Sequence, residues 1–261
     1  MNKRELGAAY RRHVVQLLSV MGYASTRQLA KGVCGRCDLS TRKMIGRTLR
    51  WLLARRWIVA KRDGNGINRV NYELLYALTT AGAEVAREHG MPLVAEKLHA
   101  RDYLRHAHDH RTACNSVYVA WPSDEIFTEL QVRTGDCPLP SFTYRLDGQE
   151  LQKIPDLIAG SEQLTWIEVE NSWRSDKDLS KVIACLRAMF SDELTRIDCM
   201  HFVVTVEGAK TIGKRLKKKL THGPESGWSA PVRALDARIL GKHIKVSVLD
   251  QDTLMLVELC L

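Results

Sequence analysis

The spacing of apolar residues predicts three helices in the first sixty residues of the chain. They cover residues 5–21, 26–32 and about 40–56, where apolar side chains recur every three or four positions. Gly22 is placed to end the first helix, and Ser25 is placed to cap the second. Asp38 or Ser40 is placed to cap the third. The chain is therefore expected to begin with a compact helical segment.

The third predicted helix has one apolar face and one basic face. At 100° per residue, Ile45, Leu49 and Leu52 fall within one narrow arc. The basic side chains elsewhere on the helix are Lys43, Arg47 and Arg50 on the opposite side, with Arg42 near the N-terminal end. One face suits a hydrophobic core, and the other suits phosphates and base edges in a major groove. This pattern is typical of the recognition helix of a helix-turn-helix.

A basic hairpin is predicted directly after this helix. Strand-like segments at 57–60 and 70–74 flank a turn in which Asp-Gly and Asn-Gly supply the positive φ angles that hairpins need. The cations expected on this hairpin are Lys61, Arg62 and Arg69. A fourth helix, capped by Thr79 or Thr80, comes next. This order of elements resembles the bacterial winged-helix family, which implies binding to double-stranded DNA; a winged helix that makes only protein contacts is the alternative.

Charge is divided unevenly along the chain. The formal net charge of the 261 residues is +9. Residues 1–90 hold 17 Lys and Arg against 6 Asp and Glu, whereas the remaining residues hold 22 against 24. The excess of positive charge therefore belongs to the first third. Cations that displace counterions from phosphates are what a nucleic-acid-binding domain requires.

Strands and helices alternate in the remaining two thirds. Strands are predicted at 126–133, 151–159, 164–171, 200–206, 244–249 and 254–259, and helices at about 98–119, 176–190 and 211–220. This order predicts an α/β (α+β) domain with one central sheet. The helix at 211–220 has a basic face above an apolar stripe. Such a face is typical either of a solvated helix or of one that follows a phosphate backbone.

Three carboxylates are expected to meet on this sheet. Glu168 and Glu170 project from the same face of one strand, because residues two apart share a face. If the preceding strand pairs beside it, Asp156 converges on the same point. The three carboxylates would then offer an oxygen-ligand site for Mg²⁺ or Mn²⁺, ions that activate water and stabilise the charge on a phosphodiester during cleavage. A solvated acidic sheet face is the alternative.

Pro155-Asp156 and Glu168-Val169-Glu170 resemble the two halves of the motif of the PD-(D/E)XK nuclease superfamily. The resemblance implies a core that runs helix, three strands, helix, strand, as in restriction endonucleases. It also implies that Asp156, Glu168 and Glu170 are metal ligands and catalytic residues. Glu170 stands where the family usually has lysine, although some restriction enzymes share this Glu-x-Glu. Lys181, on the following helix, is the expected replacement for the missing cation, with Lys153 and Lys177 as alternatives.

A winged helix joined to a nuclease-like domain resembles the replication-relaxation family of plasmid and mobile-element proteins. A His-rich segment before the sheet, Leu104–Arg111, belongs to the same resemblance. Its histidines are expected at the surface or in hydrogen bonds, and a metal site with His106 and His110 on one helix face is the alternative. The implied function is DNA binding in replication, mobilisation or transposition. The implied partners are double-stranded DNA, a second copy of the chain and another protein of the same process. The expected domains are a winged helix at 1–95 and a nuclease-like domain at 96–261.

Two other functions stay open on the sequence. The first is a transcriptional regulator whose degenerate nuclease-like domain serves dimerisation or partner binding. The second is a structural component that bends DNA and recruits another enzyme. No apolar run approaches the ~20 residues that span a bilayer, so no membrane partner is expected. Seven scattered cysteines favour reduced thiols and a cytoplasmic location.

Overall fold

A computed structural model of the chain describes residues 2–62, 73–93, 104, 109–139, 141–191, 195–207, 210–221 and 230–260. The chain divides into two compact units, Met1–Ala120 with Gln251–Met255, and Trp121–Asp250 with Leu256–Leu261. The architecture is mixed α/β, and the larger sheet contains both parallel and antiparallel pairs. Within the ranges given above, no helix is long and apolar enough to cross a membrane.

The first unit combines helices with a small antiparallel sheet. Its described helices are α1 (Lys3–Met21), α2 (Thr26–Cys34), α3 (Leu39–Ala54), α4 (Thr80–Glu88) and α5 (Asp109–Ala120). Its described strands are β1 (Ala24–Ser25), β2 (Ile58–Arg62) and β3 (Leu74–Leu78). The strands pair in the order β1-β3-β2. The antiparallel pair β2 and β3 therefore follows α3 directly.

Side-chain caps fix where the helices of this unit begin. Ser25, Asp38 and Thr79 each accept a hydrogen bond from a backbone N–H in the first turn of α2, α3 and α4. Gly22 follows α1 with a φ of 79°, a backbone conformation that favours glycine. The predicted helices and caps are confirmed here, and Asp38 rather than Ser40 caps α3.

Helix α5 belongs to the first unit. The buried Gln28 side chain on α2 donates a hydrogen bond of 2.9 Å to the carbonyl oxygen of Thr112. The Asn115 side chain donates one of 2.8 Å to the carbonyl oxygen of Tyr23. These bonds satisfy polar groups that burial would otherwise leave unpaired. The boundary between the units consequently follows Ala120, whereas the sequence suggested a division near residue 95.

The second unit is built on a six-stranded sheet. Its described elements are β4 (Ile126–Thr128), α6 (Glu129–Thr134), β5 (Phe142–Leu146), β6 (Gln149–Lys153), β7 (Leu157–Ala159), β8 (Leu164–Glu170), α7 (Asp176–Ser191), β9 (Ile197–Val204), α8 (Ile212–Thr221), α9 (Ala230–Arg238), a π-helical turn (Ile239–His243), β10 (Ile244–Asp250) and β11 (Met255–Leu259). The sheet order is β11-β10-β9-β8-β7-β4, and β5 pairs with β6 in a separate hairpin. Strands β4, β7 and β8 pair antiparallel, whereas β8, β9 and β10 run parallel.

Helix α7 covers one face of this sheet. Its buried apolar side chains pack with those of β8 and β9 in one hydrophobic core, which includes Leu179, Val182, Leu186, Met189, Trp166, Met200 and Phe202. Because β8 is buried on both faces, it holds its side chains in a dry environment. Any charged group on β8 therefore needs a partner close by.

The strand predicted over 126–133 is wrong beyond Thr128. The Thr128 hydroxyl accepts a hydrogen bond from the Gln131 backbone, and the Gln131 side chain accepts one from the Thr128 backbone. This reciprocal pair starts helix α6, and Gly135, with a φ of 82°, ends it. The single strand predicted over 151–159 is likewise divided into β6 and β7.

Parts of the sequence predictions lie outside the described residues. The turn of the basic hairpin, with Arg69, is one of them, and His106 and His108 are two more. The second strand of the hairpin is described from Leu74 to Leu78, four residues later than the predicted 70–74. Strands β2 and β3 pair from Ile58 opposite Leu78 to Arg62 opposite Leu74.

Candidate functional site

Helix α3 presents a basic face to solvent. Lys43, Arg47 and Arg50 are exposed, while Ile45, Leu49 and Leu52 on the opposite side of the helix are buried. An open groove of about 540 Å³ runs along this face. The groove is lined by Thr26, Leu39, Arg42, Lys43, Gly46, Arg47, Arg50, Glu73 and Leu74. The structure thus brings the four cations predicted on the recognition helix to one surface.

The cations of this groove are not neutralised from within the described part of the chain. No carboxylate among the described residues forms an ion pair with Lys43, Arg47 or Arg50. The Arg42 Nε is buried and, among those same residues, has no hydrogen-bond partner. Glu73, the acidic residue of the lining, lies 3.3 Å from the Arg27 Nε instead. The groove consequently carries uncompensated positive charge, which attracts an anionic ligand.

The basic residues predicted on the hairpin have different surroundings. The Lys61 ammonium donates a hydrogen bond of 3.2 Å to the carbonyl oxygen of Leu104. Arg62 is exposed at the end of β2. Arg69 lies outside the described residues. Of the three predicted cations, the structure shows Lys61 and Arg62 exposed, and the Lys61 ammonium is held by its bond to Leu104.

The second candidate site is the group of carboxylates predicted on the large sheet. Strand β7 pairs antiparallel with β8, with Leu157 opposite Ile167. This register places Asp156 at the end of β7 next to β8, and its carboxylate accepts a 2.8 Å hydrogen bond from the backbone N–H of Val169. Glu168 and Glu170 share one face of β8. The three predicted carboxylates are therefore brought together.

The carboxylate oxygens of Glu168 accept hydrogen bonds from two cationic side chains and an indole N–H. This side chain is 2% exposed. It accepts hydrogen bonds from Lys153 Nζ at 2.8 Å, from Trp166 Nε1 at 2.6 Å and from Arg174 at 3.1 Å. Trp166 lies two residues before Glu168 on the same strand, so both side chains leave the same face. Glu168 is thus a fully partnered buried anion.

Arg174 is the main partner of Glu170. Glu170 is also 2% exposed, and the Arg174 Nε lies 2.7 and 2.8 Å from its two carboxylate oxygens. The same guanidinium reaches Glu168 through its NH2 group. One arginine therefore bridges the two glutamates. Charge-assisted bonds of this kind are stronger than neutral ones.

In this cluster, burial disfavours the charged forms of Glu170 and Arg174, whereas their hydrogen bonds and opposite charges favour those forms. Burial raises the pKa of Glu170, and the Arg174 guanidinium opposes that rise. Burial works against the charged form of Arg174, but its bonds to Glu170 and the charges of Glu168 and Asp156 raise its pKa above the ordinary value. Burial also raises the pKa of the nearby Cys185 thiol to about 12. The surroundings are therefore poorly solvated and favour a closed ion-pair network.

The cluster has the carboxylate oxygens that a divalent cation needs, but cations of the protein already neutralise its glutamates. Three carboxylates are the hard oxygen donors that Mg²⁺ and Mn²⁺ prefer. Two cations, Lys153 and Arg174, already hold the oxygens of both glutamates. In this arrangement the residues do not fit a divalent cation, because a metal could bind both glutamates only after Arg174 and Lys153 had left them. The described arrangement is a buried salt-bridge network.

The structure places Lys181 away from the glutamates and Arg174 against them. The Lys181 ammonium lies 3.4 Å from a carboxylate oxygen of Asp178, and its side chain is 45% exposed. Arg174, which the sequence prediction did not include, and Lys153, which it named as an alternative, are the cations in contact. Arg174 lies in the irregular segment between β8 and α7, where no helix or strand period predicts which way a side chain points. The sequence offered only its closeness to Glu170 as a signal.

Comparison of the chain with protein-family models, with curated proteins and with solved structures finds no match. What the protein does is therefore inferred from the two sites themselves. One is the uncompensated basic face of α3, and the other is the neutralised carboxylate cluster of β7 and β8. The first site is positively charged and attracts an anionic ligand. In the second site, the negative charges of the glutamates are balanced by Lys153 and Arg174.

Proposed function

We propose that this protein binds double-stranded DNA through helix α3. The observation that carries the proposal is the exposed row of Lys43, Arg47 and Arg50, which pair with no carboxylate of the described residues and lie opposite a buried apolar face. Such cations release counterions when they meet phosphates, and arginine also bonds to guanine in a major groove.

The order of elements around α3 supports a winged-helix domain as the carrier of this function. Helices α1, α2 and α3 are followed by the antiparallel pair β2 and β3, which is where that family has its wing. Arg62, at the end of β2, adds an exposed cation on the hairpin side. A role in replication, mobilisation or transposition of a mobile element is the setting that we propose for this binding, in the cytoplasm, on the resemblance described above.

Removing two arginines from α3 should weaken duplex binding strongly. We expect Arg47→Ala/Arg50→Ala to make the dependence of log affinity on log salt less steep by about 2 units, because two phosphate contacts are lost. At 0.1 M salt this corresponds to roughly 50-fold weaker binding. The measurement is fluorescence anisotropy of a labelled 30-base-pair duplex over a series of salt concentrations.

The matched control removes two exposed arginines elsewhere. Arg87 on α4 and Arg145 on β5 are both exposed, so Arg87→Ala/Arg145→Ala lowers the net charge equally. We expect this control to keep the wild-type salt dependence. Equal losses in the two double variants would show that net charge rather than α3 drives binding, and would contradict the proposal.

Metal-dependent DNA cleavage is the second candidate function, and the convergence of Asp156 on Glu168 and Glu170 favours it. The element order supports a nuclease-like fold, since β4, β7 and β8 form an antiparallel meander and β9 runs parallel to β8 after α7. In this function Asp156, Glu168 and Glu170 would hold Mg²⁺ or Mn²⁺ once Arg174 and Lys153 had moved away from the glutamates. The bound ion would supply an activated water and stabilise charge on the phosphate.

We expect supercoiled plasmid to stay intact with the wild-type protein and Mg²⁺ or Mn²⁺, because Arg174 and Lys153 neutralise the glutamates. The assay is agarose electrophoresis after incubation with either metal or with EDTA. Asp156→Asn is the diagnostic variant, since its amide oxygen still accepts the Val169 N–H, and the exposed Glu150→Gln is its control. Nicking that needs metal and disappears only in Asp156→Asn would establish cleavage. Intact plasmid supports a DNA-binding protein or regulator whose carboxylates are structural.

A further inference from the structure

Helix α8, in the second unit, carries a group of positively charged side chains that is separate from the one on α3. Ile212, Leu216 and Leu220 anchor it in the core. The exposed cations on its outer side are Lys214, Lys217 and Lys218. Among the described residues, no carboxylate forms an ion pair with these three lysines. The helix therefore offers a row of unneutralised ammonium groups.

An exposed tryptophan stands beside this helix. Trp173, in the segment between β8 and α7, is 61% exposed, which is unusual for so large an apolar side chain. The Arg215 guanidinium of α8 lies 4.5 Å from the centre of its ring. This cation–π contact holds the indole against α8 while most of its surface stays open to solvent.

Hydrogen bonds fix Arg215 in that position. Its NH1 group donates to the carbonyl oxygen of Arg174 at 2.6 Å, and its NH2 group donates to Asp176 at 2.9 Å. The Arg215 bond lowers the pKa of Asp176, and the charges of Lys219 and Lys218 lower it further. The ammonium groups of α8 consequently lie within electrostatic reach of the segment that carries Trp173. A rigid aromatic surface and a basic helix face are therefore neighbours.

We propose that Trp173 and the exposed lysines of α8 form a binding site for single-stranded DNA. The indole stacks on an unpaired base, and Lys214, Lys217 and Lys218 neutralise the phosphates that follow. Duplex DNA is a poor ligand for this arrangement, because its base faces are already stacked on one another. An aromatic platform next to a basic track is the combination that single-strand-binding proteins use. The site does not depend on α3, so it goes beyond duplex binding.

The test measures binding of a fluorescein-labelled 15-nucleotide oligo(dT) to the full chain by anisotropy. We expect Trp173→Ala to weaken this binding about 5- to 150-fold, the range that corresponds to ~1–3 kcal/mol for one stacked base. Trp173→Phe keeps an aromatic face and should retain most of the affinity. Because Trp173 is exposed, both variants are expected to fold, which thermal unfolding checks.

Lysine variants test the phosphate half of the site. Lys217→Gln/Lys218→Gln should reduce the salt dependence of oligo(dT) binding by about 1.4 units, since a single strand contributes ~0.7 per phosphate contact. Lys242→Gln, which removes an exposed lysine after α9, is the control and should change little. If Lys217→Gln/Lys218→Gln and Lys242→Gln changed the salt dependence of oligo(dT) binding equally, the assignment of the phosphate contacts to α8 would be overturned.

The same titrations with duplex separate this site from α3. We expect Trp173→Ala to leave binding of the 30-base-pair duplex unchanged, and Arg47→Ala/Arg50→Ala to leave oligo(dT) binding unchanged. The proposal is overturned if Trp173→Ala binds oligo(dT) like the wild type, or if it weakens both ligands equally. Loss of duplex binding proposed for α3 would be a separate result, because it is read with a different ligand and different variants.

Discussion

Replacing Arg174 by alanine should lower the free energy of unfolding by about 3–5 kcal/mol, the usual cost of removing one partner from a buried ion pair. Arg174 holds both oxygens of Glu170 and one of Glu168, and both glutamates are 2% exposed. Without it, Glu170 is left as a buried carboxylate that no other cation of the described residues contacts. The measurement is urea unfolding at pH 7, with hydrogen exchange of β8 amides to locate the loss.

Arg133→Ala is the matched control for this experiment. Arg133 pairs with Glu129 at the same sequence spacing of four residues, but its side chain is 54% exposed. An exposed pair contributes at most about 1 kcal/mol, so this variant should unfold almost like the wild type. Arg174→Met/Glu170→Gln, which removes both charges, should recover most of the lost stability. Equal losses in Arg174→Ala and Arg133→Ala would show that the network adds little.

The loss in free energy of unfolding caused by Arg174→Ala should also become smaller at acidic pH. Burial raises the pKa of Glu170, and removing Arg174 takes away the bonds that oppose this rise. A carboxyl whose folded pKa lies above its unfolded value makes the folded state relatively more stable as the pH falls through the folded pKa. Lowering the pH therefore neutralises Glu170 in the variant and removes the cost of its charge. The difference between wild type and variant, followed by urea unfolding, gives the direct comparison.

His201 should make the second unit sensitive to mild acid. Burial, together with the charge of Lys245 beside it on β10, lowers the pKa of His201 from 6.5 to about 4. The unfolded chain takes up the proton at the higher pH, so stability is lost as the pH falls from about 6.5 to about 4. A difference of about 2.5 pKa units corresponds to ~3 kcal/mol at the lower end of this window. Urea unfolding at half-unit pH steps measures it.

His201→Gln isolates this contribution from that of the carboxylates, which titrate in the same range. The His201 ring nitrogen is 2.8 Å from the Ser247 hydroxyl, and a glutamine amide offers a comparable hydrogen-bonding group. We expect the variant to lose about 3 kcal/mol less than the wild type between pH 7 and pH 4. His89→Gln changes an exposed histidine after α4 and should follow the wild type. Parallel pH curves for His201→Gln and the wild type would refute this assignment.

The sequence was most informative where local chemistry decides the structure. Ser25, Asp38 and Thr79 cap helices because their side chains reach backbone N–H groups only a few residues away. The two faces of α3 follow from a period that depends on nothing beyond the helix itself. Such features are written in neighbouring residues, so the sequence is sufficient to predict them.

The hairpin of β5 and β6 is absent from the sequence prediction, although its turn residues carry a local signal. Strands β5 and β6 are joined by Asp147 and Gly148, which have φ values of 51° and 77°. Asp-Gly between two strands is a strong indication of this turn. Its flanking residues alternate weakly in polarity, with much of β6 exposed, so apolar periodicity alone did not reveal it. Here the turn residues carried the information.

The carboxylate site divided into a part that the sequence predicted and a part that it could not. Glu168 and Glu170 share a face because of the strand period, and β7 pairs with β8 through a short connection. Arg174 reaches both glutamates only because the chain after β8 turns back, and that path depends on tertiary packing. The same path determines that Trp173 stays exposed beside Arg215. The contacts of side chains in irregular segments are therefore the main features of the site that the sequence could not predict.

The assignment of Gln251–Met255 to the first unit has a consequence for the order of events during synthesis. The Arg27 side chain donates to the carbonyl oxygen of Gln251, and the Cys37 thiol donates to that of Asp252. Residues 1–120 are synthesised well before these acceptors exist. At ~5–20 residues per second, the wait is roughly 7 to 27 s. The first unit is thus completed only after Met255 has been translated, and a fragment ending at Ala120 would lack both carbonyl acceptors.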